Sequence, residues 1–141
     1  MKKVLVIEDN ADNLRLITYA LQREGYEVIS AETGEEGIET ALSLKDSLSF
    51  IVMDINLPGI DGIETIRRIR ASERANTIPI IAITSFAMMG DRERVLEAGC
   101  NGYLEKPIDP LAIVAQIEKI ITKQNPVFRS QNPEQQKRGS Q

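Results

Sequence analysis

The sequence predicts a doubly wound α/β domain in which five parallel strands are covered by helices on both faces. Three observations lead there. Short β-branched apolar runs alternate five times with amphipathic helical segments. The inner runs are apolar on both faces, as strands sandwiched between helical layers must be. Little chain is left over between them beyond the crossovers that parallel pairing requires, and right-handed crossovers restrict the topology to a few arrangements.

Lys3–Glu8 (KVLVIE) reads as the first strand. Asn10–Glu24 carries Leu14, Ile17 and Leu21 at helical spacing, and Gly25 stops it. Asp9 is a candidate cap for this helix. Tyr26–Ser30 is a short strand, and Thr33 offers an N-cap to a helix over Gly34–Leu44 whose Ile38, Ala41 and Leu42 share a face. Ser49–Asp54 (SFIVMD) is an apolar run that ends in a carboxylate, followed by a loop at Leu57–Gly62 (LPGIDG) marked by its Pro and Gly. A third helix over Gly62–Ala71 buries Ile63, Ile66 and Ile69; Pro79–Ile83 is a buried strand. Met88–Ala98 is a helix closed by Gly99, with Cys100 a small buried residue behind it and Met88 and Met89 core filler and helix start. Gly102–Glu105 is the last strand, and Pro110–Thr122 the last helix, with Pro in its first turn. Asn125–Gln141 has two Asn-Pro turns, many Gln and only Val127 and Phe128 to bury, so it is expected to be a disordered tail behind a domain of residues 1–124.

Composition removes whole classes of function. The chain has 141 residues, a size for one domain with a substantial core. Its net charge is −4, with +2 on residues 125–141 and −6 on the rest, so a nucleic-acid partner is disfavoured. It has no histidine, which excludes Ser-His-Asp chemistry, histidine metal ligation and a role as a histidine phosphodonor. Cys100 is alone, so no intramolecular disulfide forms, in keeping with a reducing compartment. The apolar run behind Met1-Lys2-Lys3 is too short for a signal peptide, and no stretch approaches a membrane span. These features together read as cytoplasmic.

In open parallel sheets functional side chains gather at the carboxyl ends of strands, beside the point where strand order reverses. Those ends supply Glu8 and Asp9, Asp54, Thr84 with Ser85, and Lys106 with Pro107. Three carboxylates brought to one edge repel one another unless a cation neutralises them. A histidine-free, all-oxygen set suits a hard divalent ion, and Mg2+ prefers one or two carboxylates together with waters and phosphate oxygens. Lys106 adds a point charge for a phosphoryl oxygen and Thr84 a hydroxyl donor. That is a phosphoryl-transfer site, in which positioning and charge neutralisation do most of the catalysis. With no Gly-rich phosphate loop, the phosphoryl group must arrive on another molecule and land on a protein nucleophile, a role a carboxylate can fill.

The ordered set Glu8-Asp9, Asp54, Thr84 and Lys106-Pro107 resembles the receiver domain of two-component response regulators. The resemblance covers about residues 2–123 and is most specific in MDINLPGIDG (Met53–Gly62) and EKP (Glu105–Pro107). The segment from Thr84 to Ile108 is similar to stand-alone, DivK-like receivers and to receivers of hybrid kinases. It implies a flavodoxin-like sheet of order 2-1-3-4-5. It further implies that Asp54 is the phospho-acceptor, that Asp9 ligates Mg2+ directly and Glu8 through water, and that Asn56 gives the metal its backbone carbonyl. Thr84 and Lys106 would contact the phosphoryl group, Thr84 and Tyr103 would form the switch, and the Lys106–Pro107 bond would be cis. The implied partners are a histidine kinase or histidine phosphotransfer protein and a downstream protein met through the fourth helix, fifth strand and fifth helix; self-association into a homodimer stays open. Glu8 stands where many relatives have Asp, which leaves metal binding intact. Phe86 is apolar where some relatives position water, which leaves the phosphoryl lifetime unread.

Three other readings compete. An aspartate-nucleophile phosphohydrolase needs an acid/base two residues past the nucleophile, where this chain has Asn56, and a cap insertion that it lacks. A flavodoxin-type carrier needs a Ser/Thr/Gly-rich phosphate loop after the first strand, and the chain has no tryptophan. A degenerate docking receiver is opposed by the presence of Asp9, Asp54, Thr84 and Lys106. After residue 123 there is no room for an effector module, so output is expected by protein contact or relay. In the last helix, Leu111, Ile113, Val114, Ile117, Ile120 and Ile121 exceed one narrow stripe, so it is either deeply packed or partly a partner face.

Overall fold

The computed structural model describes residues 2–73, 75, 77–85 and 89–124, without the side chains at 89–91 and 124. Phe86, Met88 and the segment 125–141 lie outside the described residues. Ten elements alternate along the chain: β1 (Lys3–Ile7), α1 (Ala11–Arg23), β2 (Glu27–Ala31), α2 (Gly34–Ser43), β3 (Leu48–Asp54), α3 (Gly62–Ala71), β4 (Ile80–Thr84), α4 (Met89–Ala98), β5 (Gly102–Glu105) and α5 (Ile113–Gln124). The strands form one parallel sheet of order β2-β1-β3-β4-β5, the expected doubly wound arrangement.

Period-two alternation divides the strands between two cores. Leu5, Ile7, Ile51, Met53, Ile80 and Ala82 pack with α2, α3 and α4 through Ala41, Ile63, Ile66, Ile69, Val95 and Ala98. Val4, Val6, Phe50, Val52, Ile81 and Ile83 pack on the other face with Ile17, Ala20 and Leu21 of α1 and Ile113, Val114, Ile117 and Ile121 of α5. Helix α5 is therefore mainly a core helix; Ile120 is partly buried, while Leu111, just ahead of it, is 73% exposed. Cys100 is buried, as expected, and burial pushes its thiol up to about 11, so it stays protonated and unreactive at neutral pH.

Two boundaries differ from expectation for local reasons. The cap of α1 is Asn10, not Asp9: its side chain accepts from the Asn13 N–H at 2.9 Å from an extended backbone, which leaves the Asp9 carboxylate to the sheet edge. The regular turns of α5 begin at Ile113. Residues 110–112 form a turn held by Asp109, whose side chain accepts from Leu111 N and whose carbonyl accepts from Ala112 N and Ile113 N. Pro110, which has no N–H to place, fits that turn.

Close approaches then lock the helices against the strand ends. A Cβ on Gly62 would lie 2.6 Å from Ile55 Cα and 2.8 Å from the Asp54 carbonyl, so only glycine lets α3 start directly under Asp54. At the far end of α3, Arg70 donates to the Gly99 carbonyl at 2.8 Å and to Asn101 Oδ1 at 2.9 Å. Asn101 Oδ1 also accepts from Ile80 N, so this one contact ties α3, the end of α4 and the starts of β4 and β5 together.

Candidate phosphoryl-transfer site

Register brings the predicted residues together. Ile7 pairs with Met53, which sets Glu8 level with Asp54; Asp54 pairs with Ile83, so Thr84 lies one residue further; and Thr84 pairs with Glu105, so Lys106 lies one further again. Ladder bonds continue past the strand ends, Ile55 N to Ile83 O at 3.0 Å and Lys106 N to Thr84 O at 2.9 Å. Alternation places Glu8, Asp54 and Lys106 on the α1–α5 side of the sheet. It places Thr84, Tyr103 and Glu105 on the α3–α4 side.

Three side chains lock the centre of the site. Asp54, 4% exposed, accepts from the Asn56 N–H on Oδ1 at 3.0 Å and from Lys106 Nζ on Oδ2 at 3.1 Å. Lys106 Nζ also lies 3.7 Å from Glu8 Oε1. The carboxylates of Glu8, Asp9 and Asp54 each offer an oxygen, all within 4.8 Å of one another; Glu8 and Asp54 are buried and Asp9 is exposed. Burial pushes Glu8 up to about 7, helped by a hydrogen bond and the charge of Asp54 and opposed by Lys106 and the Asn10 N–H. With all three carboxylates ionised, one ammonium leaves an excess of two negative charges on oxygen donors alone. That donor set fits a hard divalent cation.

The site opens on a cleft of about 450 Å3 lined by Asp9, Asn56, Asp61, Thr84 and Arg94 among others. Tyr103 lines a different cavity, on the outer side of β5, beside Leu96, Glu105 and Ile120. The Lys106–Pro107 peptide bond is cis, as the resemblance implied. Asp61 and Arg94 were not among the residues singled out in the sequence. Asp61 carried a signal, since it precedes a helix and caps it through the Glu64 N–H at 2.9 Å. Arg94 carried none, because nothing local distinguishes one arginine of DRER from the other.

A model of the response regulator receiver domain matches residues 4–118. The chain belongs to that family. Receivers are signalling modules of two-component systems. Among curated relatives, the polar-differentiation response regulator DivK of Brucella ovis is 36% identical over 120 residues, 85% of this chain and 96% of DivK. Among solved structures, the receiver domain of the sensor histidine kinase PA1611 from Pseudomonas aeruginosa, with a magnesium ion coordinated in its active-site cleft, is 36% identical. It superposes with a TM-score of 0.77 over 85% of this chain and 97% of its own. The chemotaxis response regulator CheY4 of Vibrio cholerae is 26% identical, with a TM-score of 0.77 over 85% and 98%. The flavodoxin-like receiver fold is thus established for this chain. Among the described residues, no helix is long and apolar enough to cross a membrane.

Proposed function

We propose that this receiver accepts a phosphoryl group on Asp54 from a phosphohistidine of a histidine kinase or histidine phosphotransfer protein, in a reaction that depends on Mg2+. The observation that carries this reading is the contact of Lys106 Nζ with Asp54 Oδ2, 3.1 Å, within the carboxylate cluster of Glu8, Asp9 and Asp54. A structural carboxylate at the end of a buried strand needs a partner, but not a second and third carboxylate beside it.

In the step itself, an Asp54 carboxylate oxygen attacks phosphorus as the P–N bond to the donor imidazole breaks. The electron pair leaves on that nitrogen and an acyl phosphate forms. The Asn56 N–H and Lys106 orient the Asp54 carboxylate for attack. Lys106 is then placed to pair with a phosphoryl oxygen, and Thr84, which lines the cleft, to donate its hydroxyl to another. Glu8, Asp9, Asp54 and the Asn56 carbonyl are the residues that would hold Mg2+, with Glu8 acting through water. The ion, when bound, neutralises the charge that gathers on the transferring group. Catalysis is confined to the chain's own phosphorylation and dephosphorylation.

The output would be a shift between two conformations, read by Thr84 and Tyr103 and presented to a protein partner on the α4–β5–α5 face. Such partners place the protein in the cytoplasm. Incubation with acetyl phosphate and Mg2+, followed by intact mass, tests the reading. One added phosphoryl group is expected, lost in Asp54→Ala and kept in Asp12→Asn, a change on the exposed start of α1. No incorporation into folded wild-type protein would falsify it.

A further inference from the structure

Arg92 of α4 makes two contacts with β5 that the phosphoryl chemistry does not call for. Its guanidinium carbon lies 4.9 Å from the centroid of the Tyr103 ring, and its Nη2 lies 3.9 Å from Glu105 Oε1. Tyr103 and Glu105 are two residues apart on one strand and so project from the same face of the sheet. One guanidinium spans both, over the ring and against the carboxylate. We propose that Arg92 is a positioning residue that holds Tyr103 in its outer rotamer, and thereby sets how readily Asp54 takes up a phosphoryl group.

The inference rests on the reading of Thr84 and Tyr103 as a coupled pair, and the geometry gives that pair a starting state. Ala82 pairs with Tyr103 and Thr84 with Glu105, so Thr84 and Tyr103 are diagonal neighbours on one face of adjacent strands. Thr84 lines the phosphoryl cleft, whereas Tyr103 lines the outer cavity with Leu96, Glu105 and Ile120. The ring is therefore outside the cleft while Lys106 sits directly on Asp54. A rotation that carries the ring toward Thr84 must take it off the Arg92 guanidinium, while the Glu105 contact keeps that guanidinium anchored on β5.

The strength of the hold follows from exposure. The Arg92 and Glu105 side chains are 48% and 55% exposed, so solvent screens the ion pair and the stacked cation supplies most of the bias. A contact of that kind shifts a two-state equilibrium by about two- to five-fold. Arg92 is thus a brake on the switch and not a lock.

The test uses the full chain with tyrosines labelled with 13C, whose three rings give a simple spectrum. Beryllofluoride with Mg2+ is titrated into wild type, R92Q and R92K. R92Q is expected to bind about two- to five-fold more tightly than wild type. Its Tyr103 ring resonances, before any addition, should lie part-way toward the bound position. R92K keeps a cation over the ring and should stay near wild type on both measures. R92Q with wild-type affinity and unmoved Tyr103 resonances overturns the proposal while leaving the phosphoryl chemistry standing. A wild-type chain that takes up no beryllofluoride overturns that chemistry and the brake with it.

Discussion

Lys106 Nζ stands 3.1 Å from Asp54 Oδ2 and 3.7 Å from Glu8 Oε1, one cation in direct contact with both buried carboxylates of the site. Its removal leaves Asp54 and Glu8 with no counter-charge, and breaking a buried ion pair from one side costs about 3 kcal/mol. Lys106→Met is therefore expected to lower the unfolding free energy by about that amount, measured by urea denaturation without divalent ions. Saturating Mg2+ should restore much of the loss in the variant, because a divalent ion takes over the neutralisation. An equal deficit with and without Mg2+ would mean that the lysine acts by packing alone.

Glu8 predicts a pH dependence. Burial first, then the neighbouring Asp54, pushes its carboxyl up to about 7, against an ordinary value of 4.5. The metal needs the ionised form, so below pH 7 each bound ion must expel a proton, and Mg2+ affinity should fall by about tenfold per pH unit. Calorimetric titration at several pH values checks this, and Glu8→Gln should flatten the profile. The metal-free fold behaves in the opposite sense. Between about 4.5 and 7 the native state keeps a proton that the unfolded chain has released, so this group's contribution to stability is largest at low pH and declines as pH rises to 7.

Gly62 predicts a coupled loss. An alanine there would drive its Cβ against Ile55 Cα and the Asp54 carbonyl, both backbone and neither able to step aside cheaply. Gly62→Ala should destabilise the fold by about 2 kcal/mol and slow phosphorylation by acetyl phosphate, because the strain falls on the carbonyl of Asp54, the proposed acceptor. A stable variant with wild-type phosphorylation would show that α3 can retreat.

Tyr26 predicts the reverse separation. Its hydroxyl donates to Glu118 Oε2 at 2.6 Å in a buried pair at the amino-terminal end of the sheet, far from Asp54. Tyr26→Phe should cost about 1–3 kcal/mol, since it takes a hydrogen-bond donor from a buried carboxylate. The rate of phosphorylation should not change. A change in rate would show that the two ends of the sheet are energetically linked.

Much of this was readable residue by residue. The period-two and helical patterns placed all ten elements, with α3 and β5 given to the residue and the remaining ends within three residues. The ends slip because hydrogen bonds outside the pattern decide them. Asn10 outcompetes Asp9 for the cap of α1 because it has the extended backbone that aims its side chain at Asn13 N. Asp109 gathers three N–H groups and delays α5. Glu8, Asp9, Asp54, Thr84 and Lys106 were found as strand-end residues, a position that follows from strand assignment alone. Arg92 and Arg94 were not, because their significance lies in what faces them across the fold.

By itself the sequence determined the layers, the residues at the carboxyl edge, the family and the oxygen-only chemistry of that edge, since each follows from local periodicity or from residue type at a known place along a strand. Tertiary structure alone decided the rest. Register sets Glu8 level with Asp54 and then climbs by one residue to Thr84 and by one more to Lys106, which puts an ammonium on the Asp54 carboxylate and a threonine on the opposite face with Tyr103. Packing of α4 on β5 sets a guanidinium over that tyrosine. Strand pairing brings Lys106 to Glu8, 98 positions away along the chain. Only the assembled sheet turns their separate charges into a single electrostatic site.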